Sequence, residues 1–283
     1  MSSVPAESRY IHHEDLRLHH LDWGREDLPP VILVHGIRLH AHVWNNFARR
    51  FNDRLHILAL DQRGHGDSGW ASRDRYHTED FYRDLRAVVL ERKLRRFTLI
   101  GHSLGGLVSM LYAHRHPEEL ERLVLVDITA GLPDAPPGAD LSRISETPPP
   151  HDFDSVEAAI AYLGRMLSLA PPDMVEESVI HGMRTTEAGR YTWKYDPALS
   201  HRPRPVSTSM DLWNLVGGIP TPTLLQYGSH SRVVSDELAD RMAKTMPCCR
   251  VERIERAGHA LFTDQPDAFA ASVERFVFGR TAS

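Results

Sequence analysis

Residues 97–116 read FTLIGHSLGGLVSMLYAHRH, and this stretch decides the fold. FTLI is an apolar run typical of a buried strand, and LVSMLYAHRH is typical of a helix. The glycines at 101 and 105 permit a tight turn between the two. Ser103 is therefore predicted to lie strained and exposed on a strand-to-helix turn, the context of a nucleophilic serine. Because G-x-S-x-G also occurs by chance, a serine that merely caps a helix is the alternative.

The same alternation of short apolar runs and amphipathic segments extends in both directions from this turn. It predicts strands at 9–13, 16–23, 31–35, 55–60, 97–102, 122–128, 222–227 and 250–255, with helices at 236–245 and 266–278. The continuous β-branched and leucine runs suit parallel strands that are buried on both faces. We therefore expect an α/β fold with a mostly parallel central sheet and helices on both of its faces.

A proline-rich segment at 131–150 interrupts this alternation. Two short helices broken by Pro171 and Pro172 are predicted after it, followed by an aromatic and polar stretch with no clear period. We assign 131–215 to an inserted, mainly helical cap, and 1–130 with 216–283 to the core. The cap aromatic and methionine residues are candidates for an apolar substrate pocket or for the cap's own core: Met166, Met183, Trp193, Tyr195 and Trp213.

Composition argues against several classes of partner. With 33 basic and 38 acidic residues the formal charge is −5, so no nucleic-acid or membrane partner is expected. The N-terminus has no apolar leader segment. The two cysteines, Cys248 and Cys249, are adjacent, and neighbouring cysteines rarely meet the geometry of a structural disulfide. Both features favour a cytoplasmic protein. The 18 histidines show no zinc-binding spacing, so neither a metal nor a cofactor is predicted. The oligomeric state is not readable from the sequence.

Two further segments supply candidate partners for Ser103. His259 lies in a loop after the strand at 250–255, near the end of the chain, which suits a general base that follows the serine in chain order. The helix that begins at Leu104 offers a backbone N–H to a developing oxyanion. A second N–H is expected from Ile37, after the buried strand that ends in His35 and Gly36.

Together these motifs resemble the α/β-hydrolase superfamily, in particular its capped esterases, lactonases and carbon–carbon bond hydrolases. The resemblance is carried by HG at 35–36, DQRGHGDSG at 61–69, GHSLGG at 101–106 and AGHALFTDQPDAF at 257–269. It covers nearly the full length and is weak in the cap. Superfamily members with an aspartate at the nucleophile position are dehalogenases or epoxide hydrolases, so a serine there implies acyl chemistry.

The resemblance leaves the acid of the catalytic triad to be found. The superfamily pattern after the strand at 222–227 is Gly-x-x-Asp, which places Ser231 where the aspartate is expected. Some capped relatives, including haloalkane dehalogenases and certain lactonases, carry the acid after the preceding strand, which points here to Asp127. The alternatives are a structural Asp127, and Asp236, which is expected to cap a helix instead. Ser231→Ala is expected to cost little activity.

The resemblance thus implies a serine hydrolase that cleaves a carboxylic ester or lactone of a small to medium apolar substrate through an acyl-enzyme. Ser103 would attack, His259 would act as base, Asp127 would orient it, and the N–H groups of Ile37 and Leu104 would hold the oxyanion. The same residues also suit a carbon–carbon bond hydrolase or an acyltransferase. A ligand-binding protein without catalysis is the remaining alternative.

Overall fold

The structure is a computed structural model that describes residues 5–131, 150–200 and 211–279. Eight strands form the central sheet: β1 (Glu7–His13), β2 (Leu16–Trp23), β3 (Pro30–Val34), β4 (His56–Leu60), β5 (Phe97–His102), β6 (Leu120–Val126), β10 (Thr223–Gly228) and β11 (Cys249–Ile254). Their spatial order is β1-β2-β4-β3-β5-β6-β10-β11. The pairs β1–β2 and β2–β4 are antiparallel, and the others are parallel. The expected α/β fold with a mostly parallel sheet is confirmed.

Helices cover both faces of this sheet. They are α1 (Asn45–Phe51), α2 (Thr78–Glu91), α3 (Leu104–Arg115), α6 (Leu212–Gly217), α7 (Asp236–Thr245), α8 (Leu261–Asp264) and α9 (Pro266–Phe278). Side chains that alternate along a strand enter two separate apolar cores, because successive residues point to opposite faces. In β3, Ile32 and Val34 pack in the core with α2 and α3, whereas Val31 and Leu33 pack in the core with α1 and α9.

The segment between β6 and α6 adds a smaller unit. It contains α4 (Val156–Met166), α5 (Pro172–Gly182) and a sheet of three short strands, β7 (Asp152–Phe153), β8 (Met183–Thr185) and β9 (Tyr191–Trp193), in the order β7-β9-β8. The first three residues of the aromatic stretch that showed no period form β9. Strands of two or three residues are too short to display alternation, so the sequence did not predict them.

Helix α6 crosses the expected border at 215, and its buried residues pack in the same core as α3 and α7.

None of the helices in the described ranges is both long enough and apolar enough to cross a membrane.

Candidate active site

The turn at Ser103 connects β5 to α3 and is strained. Ser103 has φ 52° and ψ −116°, a backbone conformation that is costly for a residue with a side chain. A Cβ on Gly105 would lie 2.2 Å from the carbonyl oxygen of Val34, so only glycine lets α3 begin this close to β3. The strain expected at Ser103 is therefore present, but the residue is only 5% exposed.

The low exposure of Ser103 corrects the prediction of an exposed serine, and the segment after β3 is one cause. A Cβ on Gly36 would lie 2.6 Å from Nδ1 of His102 and 3.1 Å from Cβ of Ser103. The turn Gly36–Leu39, closed by an N–H to carbonyl bond of 3.2 Å, thus packs directly on the serine. Ile37 lies in this turn, and Leu104 is the first residue of α3, where the N–H has no intrahelical acceptor. Of the two expected oxyanion donors, Leu104 directly follows Ser103, and Ile37 lies in the turn that packs on it.

Buried polar side chains fix the turn that carries Ile37. The Nδ1–H of His35 donates to the carbonyl of Gly36 at 2.7 Å, and its Nε2 accepts from the N–H of Gln62 at 3.1 Å. Burial lowers the pKa of His35, which keeps the ring neutral as this pair of hydrogen bonds requires. Asp61 accepts from the N–H groups of Ala41 at 2.6 Å and Asp67 at 2.9 Å, so it orders its own loop and ties that loop to the segment after the turn.

His259 and Asp127 form a close pair. The Nδ1 of His259 lies 2.7 Å from Oδ2 of Asp127, with the aspartate side chain fully buried and the histidine side chain 33% exposed. The strand β6 ends at Val126, two residues before the predicted end at 128, so Asp127 directly follows it and has φ 51°. Since an ionised carboxylate can only accept, it fixes the tautomer of His259 with the proton on Nδ1 and leaves Nε2 as an acceptor.

The end of β10 holds this carboxylate in place. The N–H of Gly228 donates to Oδ1 of Asp127 at 3.1 Å, and the hydroxyl of Ser231 donates to Oδ2 at 2.7 Å. A Cβ on Gly228 would lie 2.2 Å from the carbonyl oxygen of Ala257, so glycine is needed for β10 to end against the loop of His259. Ser231, noted in the sequence only for lacking a carboxylate, is thus in direct contact with the acid.

Two residues that the sequence did not single out support the loop of His259. His102, beside Ser103, donates from Nε2 to the backbone carbonyl of His259 at 2.9 Å, and burial lowers its pKa well below the ordinary range. Asp264 in α8 accepts from the N–H of Gly258 at 2.7 Å, and burial raises its pKa. The signal for His102 was its position inside the G-x-S-x-G motif, whereas the contact of Asp264 depends on how the loop folds back.

Asp236 lies apart from this pair. It was expected to cap α7, but the cap is Ser235, whose Oγ accepts from the N–H of Leu238 at 3.3 Å. Asp236 is the first residue of the helix, and it accepts instead from the hydroxyl of Tyr227 at 2.7 Å. The aspartate that contacts His259 is therefore Asp127.

A cavity of about 200 Å³ lies between the turn of Ile37 and the inserted segment. Its wall is mainly apolar and includes Ile37, Leu39, Tyr162, Leu163, Met166, Trp193 and Tyr195. The amine of Lys194, also in the wall, is paired with Asp67 at 2.9 Å. Three of the five proposed cap residues thus line the cavity.

The remaining two proposed cap residues do not line this cavity. Met183 is buried in the small core of the inserted segment, where it fills space between the short sheet and the helices. Trp213 belongs to α6, and the guanidinium of Arg241 lies 3.8 Å from the centre of its ring. Packing within the inserted segment therefore accounts for the position of Met183, and packing of α6 against Arg241 accounts for that of Trp213.

The strand order and the strained turn after β5 define an enzyme class, the hydrolases built on a mostly parallel sheet. Comparison with known families agrees: the alpha/beta hydrolase fold family matches residues 29–266, and the chain belongs to that family. It is a hydrolase.

Similar proteins include lipases and esterases. The chain is 25% identical over 280 residues to human monoacylglycerol lipase ABHD6, covering 95% of this chain and 81% of the relative. The crystal structure of esterase Rv0045c from Mycobacterium tuberculosis has a TM-score of 0.80 at 26% identity, over 98% of this chain and 92% of the other. The crystal structure of E-2-(acetamidomethylene)succinate hydrolase has a TM-score of 0.83 at 22% identity, over 97% and 100%, and shows the shared fold.

Proposed function

We propose that the protein is a serine esterase that hydrolyses carboxylic esters or lactones of small to medium apolar substrates through an acyl-enzyme. Ser103 is the nucleophile, His259 the general base and Asp127 the acid of the triad. The observation that carries the proposal is the hydrogen bond of 2.7 Å between the buried Asp127 and His259. It supplies the third group of a triad whose usual acid position holds Ser231.

The proposed reaction uses this geometry in two halves. The Ser103 hydroxyl attacks the ester carbonyl while Nε2 of His259 takes its proton, and the N–H groups of Ile37 and Leu104 stabilise the oxyanion. The imidazolium then returns the proton to the departing alcohol, which leaves the acyl group on Ser103. A water molecule, deprotonated by His259, releases the acid in the second half.

The expected polarity of the substrate follows from the cavity beside the oxyanion turn. Its mainly apolar wall favours a hydrocarbon acyl or alcohol group over a charged one. The amine of Lys194 is already neutralised by Asp67, so the lysine does not oppose this preference. The lipase and esterase names of similar proteins support the same chemistry, and the partner is accordingly a small molecule.

Inserted between β6 and α6, the two helices and the small sheet act as the cap in this proposal. From α4, the cavity wall receives Tyr162, Leu163 and Met166. Trp193 is the last residue of β9, and Tyr195 follows it two residues later. The core residue Ile37 faces them across the cavity. We therefore assign acyl-chain selection to the cap and bond cleavage to the core.

The test is turnover of chromogenic esters by wild type and Ser103→Ala. Activity should be lost in the variant, while the melting temperature stays near that of wild type because only one hydroxyl is removed. An organophosphonate ester should label wild type at Ser103, as mass spectrometry of peptides would show. Ser229→Ala provides a matched control, since Ser229 lies in the turn after β10 and its hydroxyl accepts from the N–H of Arg256. Label on another serine, or full turnover by Ser103→Ala, would refute the assignment.

Carbon–carbon bond hydrolysis and acyl transfer use the same three residues, so the ester assay is extended with a diketone and with an alcohol acceptor. A protein that only binds ligands has no need for a strained serine or for a histidine that a buried aspartate holds in one tautomer. The absence of turnover on all these substrates, together with no phosphonate label, would favour such a binding protein.

A further inference from the structure

The hydroxyl of Ser231 is fully engaged in hydrogen bonds. Ser231 lies in the turn that follows β10, and its Oγ is 2.7 Å from Oδ2 of Asp127. The same oxygen is 3.0 Å from the backbone nitrogens of both Val233 and Val234. A turn hydrogen bond of 3.0 Å from the N–H of Ser231 to the carbonyl of Gly228 fixes the backbone of the residue itself.

These contacts determine where the hydroxyl proton lies. A serine hydroxyl has one proton to donate and two lone pairs that accept. The N–H groups of Val233 and Val234 can only donate, so they occupy the two lone pairs. The proton is left for the Asp127 carboxylate, which can only accept when it is ionised. Ser231 is thereby a donor with a fixed direction.

We propose that Ser231 is a positioning residue of the active site, which orients the Asp127 carboxylate toward His259. The proposal rests on the proposed roles of Ser103, His259 and Asp127. It replaces the expectation that Ser231→Ala costs little activity. Where the wider superfamily pattern has the acid, this chain has the hydrogen-bond donor that holds the relocated acid.

The carboxylate of Asp127 receives donors from three directions. The N–H of Gly228 holds Oδ1, while Ser231 and His259 share Oδ2. Without the hydroxyl, the carboxylate can rotate about its bond to Cβ, and the imidazole loses a fixed partner. Ser231 does not line the cavity, so this loss should affect the chemical step and leave substrate binding unchanged.

The first experiment compares Ser231→Ala, Ser231→Thr and the control Ser229→Ala by ester kinetics. Ser231→Ala should lower kcat about 10-fold with KM unchanged, the scale of one hydrogen bond to a charged group. Ser231→Thr keeps the hydroxyl and should recover most of that loss. Ser229→Ala should retain wild-type kcat. The Ser229 hydroxyl lies in the same turn as Ser231, but it accepts from the backbone N–H of Arg256, in the loop after β11, and does not donate to Asp127. Wild-type kcat in Ser231→Ala would overturn the proposal.

A double-mutant cycle separates a role through Asp127 from a general effect on the loop. Ser231→Ala should change kcat less than about 2-fold in an Asp127→Asn background, because the group that it orients is already lost. Equal losses of kcat in both backgrounds would show that Ser231 acts through the stability of the loop. That result would overturn the positioning role of Ser231 and leave the triad standing. Near-normal kcat in Asp127→Asn itself would overturn the triad and this proposal together.

Discussion

The sharpest prediction concerns replacement of Asp127 by asparagine, a change of one atom. The asparagine oxygen can accept from the N–H of Gly228, as Oδ1 of the aspartate does. Its NH₂ group then faces the hydroxyl of Ser231 and Nδ1 of His259, both of which donate to the aspartate. Because two donors cannot pair, His259 should switch to the tautomer with the proton on Nε2. That tautomer cannot accept the proton of Ser103.

The expected loss is about 10⁴-fold in kcat, the scale measured for an aspartate-to-asparagine change in another serine triad. At about 1.4 kcal/mol per factor of ten, this is about 5.5 kcal/mol of transition-state stabilisation. The asparagine keeps the volume and the hydrogen bond from Gly228 but loses those from Ser231 and His259, so the melting temperature should fall by a few degrees while the fold is kept. The assay is kcat and KM on a chromogenic ester, with circular dichroism to confirm the fold.

A second substitution turns this loss into a test of position. Oγ of Ser231 lies 2.7 Å from Oδ2 of Asp127, so an aspartate at 231 brings a carboxylate to the same region. Asp127→Asn with Ser231→Asp should therefore recover at least about 10-fold of the lost kcat, since groups that act as a unit are not additive. An Asp127→Asn enzyme with near wild-type kcat would refute the reasoning, because His259 would then need no carboxylate partner.

Three further predictions address the loop, the fold and the cavity. Gly228→Ala places a Cβ 2.2 Å and 2.4 Å from two backbone carbonyl oxygens in the loop of His259, so kcat should fall about 100-fold; Gly217→Ala, whose Cβ would meet nothing closer than 3.7 Å, should behave as wild type in the same assay. Burial lowers the pKa of both His40 and His65 from 6.5 to about 3, so the unfolded chain binds protons that the folded chain excludes, and stability is lost as pH falls below 6.5. The free energy of urea unfolding should be about 1 kcal/mol lower per histidine at pH 5.5 than at pH 7. In His40→Gln this pH-dependent loss should shrink by the share of one histidine. An unchanged loss in the variant would contradict the assignment to His40. Leu163→Trp narrows the cavity and should lower kcat/KM for a p-nitrophenyl octanoate about 10-fold while sparing the acetate; equal losses on both esters would count against a role in acyl selection.

The sequence predicted the core of the fold closely because its strands are continuous apolar runs that no other element explains as well. Strand β5 begins and ends where the pattern placed it, and α9 spans the predicted residues. The small sheet of the inserted segment was missed, since β7 and β9 are too short to show a period. Local pattern is informative where an element is long and buried, and it carries little information where pairing with a distant segment defines the strand.

The site shows the same division. Ser103 and His259 were predicted because a motif or the chain order marks them, and Asp127 because the resemblance to capped relatives pointed to the end of the strand after the nucleophile helix. The donor role of Ser231 depends on a hydroxyl proton directed by Val233 and Val234, which no sequence pattern records. The low exposure of Ser103 likewise results in part from a turn more than sixty residues earlier, whose approach is visible only in three dimensions.

The adjacency of β6 and β10 has a consequence for how such enzymes change over time. Asp127 and Ser231 follow neighbouring strand ends, so a lineage can transfer its triad acid from one to the other without moving the histidine. The intermediate with aspartate at both positions would hold two carboxyl groups in contact, and such pairs share one proton. The protonated member would donate to its ionised neighbour, as the serine hydroxyl does in this protein. Such an intermediate keeps one charged acid and one donor, so activity need not be lost at that step.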